Sequence, residues 1–312
     1  MPSDIDRLDE AELCHDEEPE RAAALLRDID VAQLPPERWP GHAFLLNHVL
    51  GEKLQRWSEA LQRQRALLRQ AQPAPSAALW RQGATAALLA GDAELERVMT
   101  ESLAEAAGAS LPRAHELVRL CAAMYRATGE AGATAAAGLR AALAPLHSND
   151  WQADTPLDAA VAACTNNIAN GLLERPVADL RLAALRSALA DAAEQSHRFW
   201  LRAGTWVNHE RALYLRAMVC NVLDQAQWAR AHAQAGLALL DEHDGDAAQT
   251  IDRAFLELEQ WHACMVLRRH ADAAEALARA TALAEGFDDE FWRASFERRR
   301  IGLQRQHLGP EG

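Results

Sequence analysis

Lysine is almost missing from this chain. Lys53 is the only one, so nearly all of the 32 basic residues are arginines. GC-rich coding accounts for that bias without any function. Tyrosine occurs twice, and isoleucine and threonine are sparse. Alternating runs of β-branched residues are therefore lacking, which argues against a sheet. No stretch approaches the roughly 18–20 apolar residues of a membrane span. No basic start followed by an apolar stretch marks a secretory signal. Cys-x-x-Cys, His-Glu-x-x-His, a Gly-rich phosphate loop and Gly-x-Ser-x-Gly are all missing, and with them the common metal, nucleotide and hydrolase signatures. The five cysteines (Cys14, Cys121, Cys164, Cys220, Cys264) are scattered and odd in number. They read as reduced thiols filling the core of a cytoplasmic protein.

Positive charge is also in deficit, with a net charge of −13. Residues 1–30 carry eleven acids against Arg7, Arg21 and Arg27, a net of −8 that leaves about −5 for the remainder. Binding to a nucleic-acid backbone needs clustered positive charge and is not expected.

What the chain does have is alanine, leucine, arginine and glutamate, which lose little rotamer freedom in a helix. The expectation is an all-α protein. At 312 residues it exceeds one ordinary core and should form two domains or one extended array. Residues 1–17 read as a loose acidic segment or a short helix. It would serve as a solubilising tail or fold back over a basic groove. Residues 18–40 hold a helix opened by Pro19 and a rigid break at Pro35, Pro36 and Pro40. Residues 41–285 repeat a pattern of two helices and a tight connection. Residues 286–312 supply a terminal helix with Arg298, Arg299 and Arg300, a solvated cap and tail.

Within the array, turns fall near residues 57, 93, 131, 177, 228 and 270, marked by Gly91-Asp92, Gly129, Glu174-Arg-Pro176 and the region of His270. A spacer, residues 147–156, separates the third and fourth units. Second helices carry an aromatic, a small, a large and a small residue at steps of three, four and three. Trp228, Ala231, Ala235 and Ala238 follow that form, as do His270, Ala273, Leu277 and Ala280. Trp57 with Ala60, and Trp80 before Gly91-Asp92, echo parts of it. This pattern resembles the tetratricopeptide-repeat (TPR) family, although the turn intervals run from about 36 to 51 residues against the family's 34. The resemblance implies a right-handed α-solenoid of stacked helix-turn-helix repeats whose concave face binds peptides or proteins.

Two features point to a site. Six of the seven asparagines (Asn47, Asn166, Asn167, Asn170, Asn208, Asn221) fall in first helices, where asparagine is a poor helix former. Aligned on the turns, Asn47 and Asn167 share one repeat position, and Asn170 and Asn221 share another. Such a column either presents donors and acceptors to a bound peptide or ties neighbouring repeats together. Residues 195–224 combine aromatic, cationic and amide side chains more densely than any other window. Read as one helix, this stretch puts Glu210, Tyr214 and Asn221 on one side, bordered by Arg211. Arginine pairs with carboxylates bidentately, and aromatic rings give rigid contact area. Trp200 and Trp206 read as packing between repeats.

The expected binding set is Asn47, Asn167, Asn170, Glu210, Arg211, Tyr214 and Asn221, and the expected partner is a protein or peptide. A small-molecule or catalytic pocket near His197–Tyr214, lined by His209 and Arg202, is the alternative, and self-association into a homodimer is a third. No cofactor and no metal are expected. His42 and His48 are six residues apart, and Cys14-His15 lies in the acidic segment. Asp241–Asp246 fails as a calcium loop, because Leu240 would take the first ligand position.

Overall fold

The structure, a computed structural model, describes residues 3–71, 74–243 and 248–308. Residues 244–246 of the stretch weighed as a calcium loop lie outside these. Among the described residues the protein is all-helical, without strands, and its helices pack in adjacent pairs. No described helix is long and apolar enough to cross a membrane. The chain divides into two compact units, residues 1–164 and 165–312.

In the first unit, α1 (Asp4–Cys14) and α2 (Pro19–Arg27) precede α3 (Trp39–Leu45). Helix α3 runs straight into a π-helical stretch, Leu46–Lys53. Then come α4 (Trp57–Gln70), α5 (Ala77–Ala90), α6 (Ala93–Ala107), α7 (Leu111–Gly129) and α8 (Gly132–Leu143). The α3 segment pairs with α4, α5 with α6, and α7 with α8, while α5 also touches α3 and α7. A short 3-10 turn, Ala144–His147, leads into the expected spacer, and a second, Asn149–Trp151, lies within it. Trp151 is fully buried there and donates its indole N–H to Glu116 at 2.6 Å.

Of the two readings of the acidic start, a loose segment or a short helix, the residues Asp4–Cys14 take the helix. Helix α1 opens with a reciprocal cap in which Ser3 accepts from the Asp6 N–H and the Asp6 carboxylate accepts from the Ser3 N–H. Leu8 and Ala11, three residues apart, form an apolar stripe buried against Leu26, Leu46, Val49 and Leu50. Of its acids, Glu10 pairs with Arg21, and Asp9 and Glu12 pair with Arg38 of the same unit. One apolar stripe is enough to anchor a helix whose other faces are charged.

Helix α9 (Asp158–Leu173) crosses from the first unit into the second in sequence. The second unit continues with α10 (Ala183–Ala203), α11 (Trp206–Val222), α12 (Ala226–Glu242), α13 (Ala248–Val266), α14 (His270–Glu285) and α15 (Glu290–Leu308). Helices α11 and α12 pair, as do α13 and α14, and the first helices α11, α13 and α15 stack in succession through α13. Residues 195–224 are thus two helices, not one. The break falls at Gly204, where a Cβ would lie 2.7 Å from the Trp200 carbonyl oxygen and from Asn208 Cβ. Thr205 then caps α11 reciprocally with Asn208, whose amide oxygen accepts the Thr205 N–H at 2.9 Å. That capping duty is why Asn208 stands apart from the other asparagines.

One turn recurs between paired helices in both units. A residue in the left-handed region ends the first helix: Gln55 (φ 57°), Gly91 (φ 79°), Asp224 (φ 61°) and Arg268 (φ 57°). The next residue opens the second helix at a φ between −90° and −105°. The turn-based starts near 57, 93, 131, 228 and 270 agree with these helices to within two residues; the start near 177 falls instead at Ala183.

The motif register differs in α12. Trp228, Ala231, Ala235 and Ala238 face outward, and Ala226, Ala229, Ala233, Gly236 and Leu240 are buried. Gly236 permits the close approach of α13, because a Cβ there would sit 2.9 Å from Leu256. In α14 the motif alanines Ala273 and Ala280 are buried as read, Leu277 is half-buried and His270 is exposed.

Candidate functional site

The second unit carries a groove of about 550 Å³ walled by its first helices. On α11, Arg211, Tyr214, Leu215 and Met218 line it, a spacing of three, four and seven that keeps them on one face. On α13, Ile251, Asp252 and Phe255 oppose them. Asn166 and Asn170, four residues apart on α9, close one end, and Trp292 of α15 closes the other.

The groove has an aromatic wall and a charged rim. Phe255 meets Tyr214 edge-on at 6.1 Å and Trp292 edge-on at 6.3 Å between ring centroids. Phe296 backs Phe255 at 5.9 Å, so the wall is continuous with the core. Burial, reinforced by the Glu259 carboxylate, pushes the Tyr214 phenol well above its usual range, so it stays a neutral hydroxyl. At the rim, Arg211 Nε and Nη2 both reach Asp252 Oδ2 at 3.2 Å, while the Arg211 side chain stays 59% exposed. Asn170 Nδ2 donates to the Asn166 carbonyl at 3.1 Å, which uses one of its amide donors.

Of the residues expected from sequence, Asn170, Arg211 and Tyr214 come together here. Asn167 is exposed next to the groove residues in sequence and does not line it. Asn47 and Asn221 are buried ties between first helices, and the two ties have the same form. In the first unit, Asn47 Nδ2 donates to the Gln82 carbonyl at 2.9 Å and to Gln82 Oε1 at 2.8 Å, and Gln64 Nε2 donates to Asn47 Oδ1 at 3.0 Å. In the second, Asn221 Nδ2 donates to the Glu259 carbonyl at 3.1 Å and to Glu259 Oε2 at 2.8 Å. Arg299 clamps that Glu259 bidentately at 2.6 and 2.8 Å. Of the two readings the amides left open, these two follow the structural one.

Glu210 is buried behind the groove face, with neither carboxylate oxygen hydrogen-bonded. Burial pushes its pKa up to about 8; Asp252 adds to the rise and Arg211 opposes it. The protonated, neutral form therefore predominates at pH 7, which leaves the Arg211–Asp252 pair as the charged feature of the rim.

The histidine-rich patch lies elsewhere. His197 and His209 stack at 5.0 Å, and Arg216 Nη1 lies 3.4 Å from His197 Nδ1. Burial, with Arg216 beside it, lowers His197 to about 4, and His232 falls to about 4 for the same reasons. Neither His209 nor Arg202 lines the groove.

Sequence reasoning missed Asn166, Asp252, Phe255 and Trp292 as lining residues. The spacing of four between Asn166 and Asn170 was the available signal. The α13 and α15 residues carried none, because their convergence comes from stacking of first helices.

No family model matches the chain, and neither does any curated protein. The site's own chemistry is therefore what bears on its use.

Proposed function

We propose that the second unit binds an extended peptide segment of a partner protein in the groove between α9, α11, α13 and α15. On this reading the chain is an adaptor built as a right-handed, TPR-like α-solenoid, with no catalytic role. The carrying observation is the groove's composition: two amides at one end, an aromatic wall along the side and an Arg–Asp pair at the rim. Amides suit the alternating donors and acceptors of a peptide backbone. The Tyr214–Phe255–Trp292 wall suits one large apolar side chain. Arg211, more than half exposed, can swing from Asp252 to a carboxylate on the ligand. The preferred segment thus carries an aromatic or large aliphatic anchor next to an acidic residue. Stacked first helices and the recurrent left-handed turn support the repeat architecture.

The test is selection from a displayed peptide library, followed by fluorescence anisotropy on the full chain. Aromatic anchors in such sites contribute about 2 kcal/mol or more, so Tyr214→Ala and Trp292→Ala should each weaken binding roughly thirtyfold. Selected peptides that bind both variants as tightly as the unaltered chain would sink the proposal. The groove's volume also falls in the range of small-ligand sites, which favours a metabolite as the second reading. A thermal-shift screen in which a small molecule stabilises the unaltered chain but not Tyr214→Ala, with no peptide selected, would favour it.

A further inference from the structure

We propose that the first unit holds a divalent transition-metal site, built from His15, Asp16 and His48, that pins α1 to the first repeat helix. His15 caps the C-terminus of α1 and Asp16 follows it; His48 lies in the π-helical stretch, a local widening frequent at functional positions. The three side chains offer ligand atoms that all lie within 4.8 Å of one another. His15 Nε2 is 3.7 Å from Asp16 Oδ2, and His48 Nε2 is 3.8 Å from Asp16 Oδ1. A tetrahedral ion with bonds of about 2.0–2.1 Å holds its ligands about 3.3 Å apart, so the two imidazoles and one Asp16 oxygen close by up to about 1.5 Å to complete the set.

The groups around the ligands strengthen the assignment. Each ring keeps its Nε2 toward the cluster because its Nδ1 is engaged elsewhere. His15 Nδ1 donates to the Glu12 carbonyl at 2.7 Å, and His48 Nδ1 donates to Glu52 Oε2 at 2.5 Å. These are the carbonyl–histidine and carboxylate–histidine arrangements that fix tautomer and orientation around bound metals. His48 is held further by stacking on Phe44 at 5.5 Å. Lys53, the single lysine of the chain, holds Asp16 Oδ1 at 2.8 Å, so an ion takes the other oxygen, Oδ2, or displaces the ammonium. Two imidazoles and one carboxylate suit zinc and its neighbours, not the oxygen-seeking calcium or magnesium, and leave one position of a tetrahedron open.

No sequence motif announces this set, because His15 and His48 meet only after α1 docks through Leu8 and Ala11. The ion would join the C-terminal end of α1 to the helix that those residues already touch. It would thus add a second anchor to a short, otherwise acidic helix.

The test is calorimetric titration of the chelator-stripped full chain with Zn²⁺, alongside cobalt(II) absorption spectra. The expected result is one ion per chain, with cobalt ligand-field bands and no thiolate charge-transfer band. His15→Ala and His48→Ala should each lose that site, Glu52→Gln should weaken it about tenfold, and Cys14→Ser should leave it unchanged. Added Zn²⁺ should raise Tm in the unaltered chain but not in His15→Ala. If His48→Ala loses its helical circular dichroism, His15→Ala, altered at the half-buried cap of α1, decides alone. Zn²⁺ binding of equal strength in His15→Ala, a thiolate band, or no stoichiometric uptake would each overturn the assignment.

Discussion

Glu210 offers the sharpest test of the groove's construction. Its carboxyl ordinarily titrates near 4.5, and burial in the second unit moves it to about 8. Between those values the folded chain keeps a proton that the unfolded chain has released. The sign follows directly: stability from this group is fully present below pH 4.5 and is lost as pH rises through 8. Each tenfold gain in proton affinity on folding corresponds to about 1.4 kcal/mol, so the rise from 4.5 to about 8 amounts to roughly 5 kcal/mol across that window. Glu210→Gln removes the titration while nearly preserving shape. Urea denaturation followed by circular dichroism, repeated across the pH range, should show the variant equal to or weaker than the unaltered chain in acid. Above pH 8 the order should invert, with the variant more stable by several kcal/mol. Direct observation of the Glu210 carboxyl carbon by NMR would place its midpoint near the upper value. Parallel stability profiles for the two chains, or a midpoint near 4.5, would refute the claim that Glu210 is buried without a partner.

Three further outcomes follow from the packing. Asn47→Ala removes two donated hydrogen bonds and one accepted bond in a buried site; it should cost about 2–4 kcal/mol in urea denaturation, whereas the exposed Asn167→Ala should change stability by less than about 0.5 kcal/mol. Arg299→Ala strands the fully buried Glu259 carboxylate, and a loss of about 3–5 kcal/mol is expected in the same assay. Gly204→Ala forces a Cβ against the Trp200 carbonyl, and hydrogen exchange should show faster opening of the α10–α11 junction with a stability loss of about 1–3 kcal/mol.

The repeat boundaries were legible because glycine, aspartate and proline mark most of them. Gly91 takes the left-handed position that glycine adopts at no steric cost. The other copies of that turn use Asp224, a residue type that tolerates the left-handed region, and Gln55 and Arg268, which no composition rule would select. The α12 register was not legible for a different reason. Alanine lies on both faces of that helix, so Ala231-Ala235-Ala238 fits the family pattern as well as the buried Ala229-Ala233-Gly236 does. Trp228 tipped the reading toward the first, yet it is 64% exposed. Residues 195–224 read as one helix because nothing local weighs Gly204 against fourteen good helix formers; the crowding that requires a glycine comes from Trp200 and Asn208 folded around it.

The asparagines show how the partner facing an amide separates structural from binding roles. Asn47 lies midway along the segment Trp39–Lys53 and Asn221 near the C-terminal end of α11, and each donates to both the backbone and the side chain of the next first helix. An amide fits there because one NH₂ group can serve two acceptors, and a buried acceptor left without a partner costs about 1–3 kcal/mol. Seven residues earlier on α11, Tyr214 lies on the groove face with Arg211, and on α9 the groove amides Asn166 and Asn170 have no counterpart of Glu259 bonded to their NH₂ groups. The same residue type therefore bridges helix pairs where the next first helix presents both a carbonyl and a side-chain acceptor. It is available to a ligand where the stacked helices splay to leave a groove. Sequence spacing aligned the two kinds of asparagine in one column because a repeat period fixes the face of a helix. It does not fix whether a neighbouring helix sets acceptors against that face.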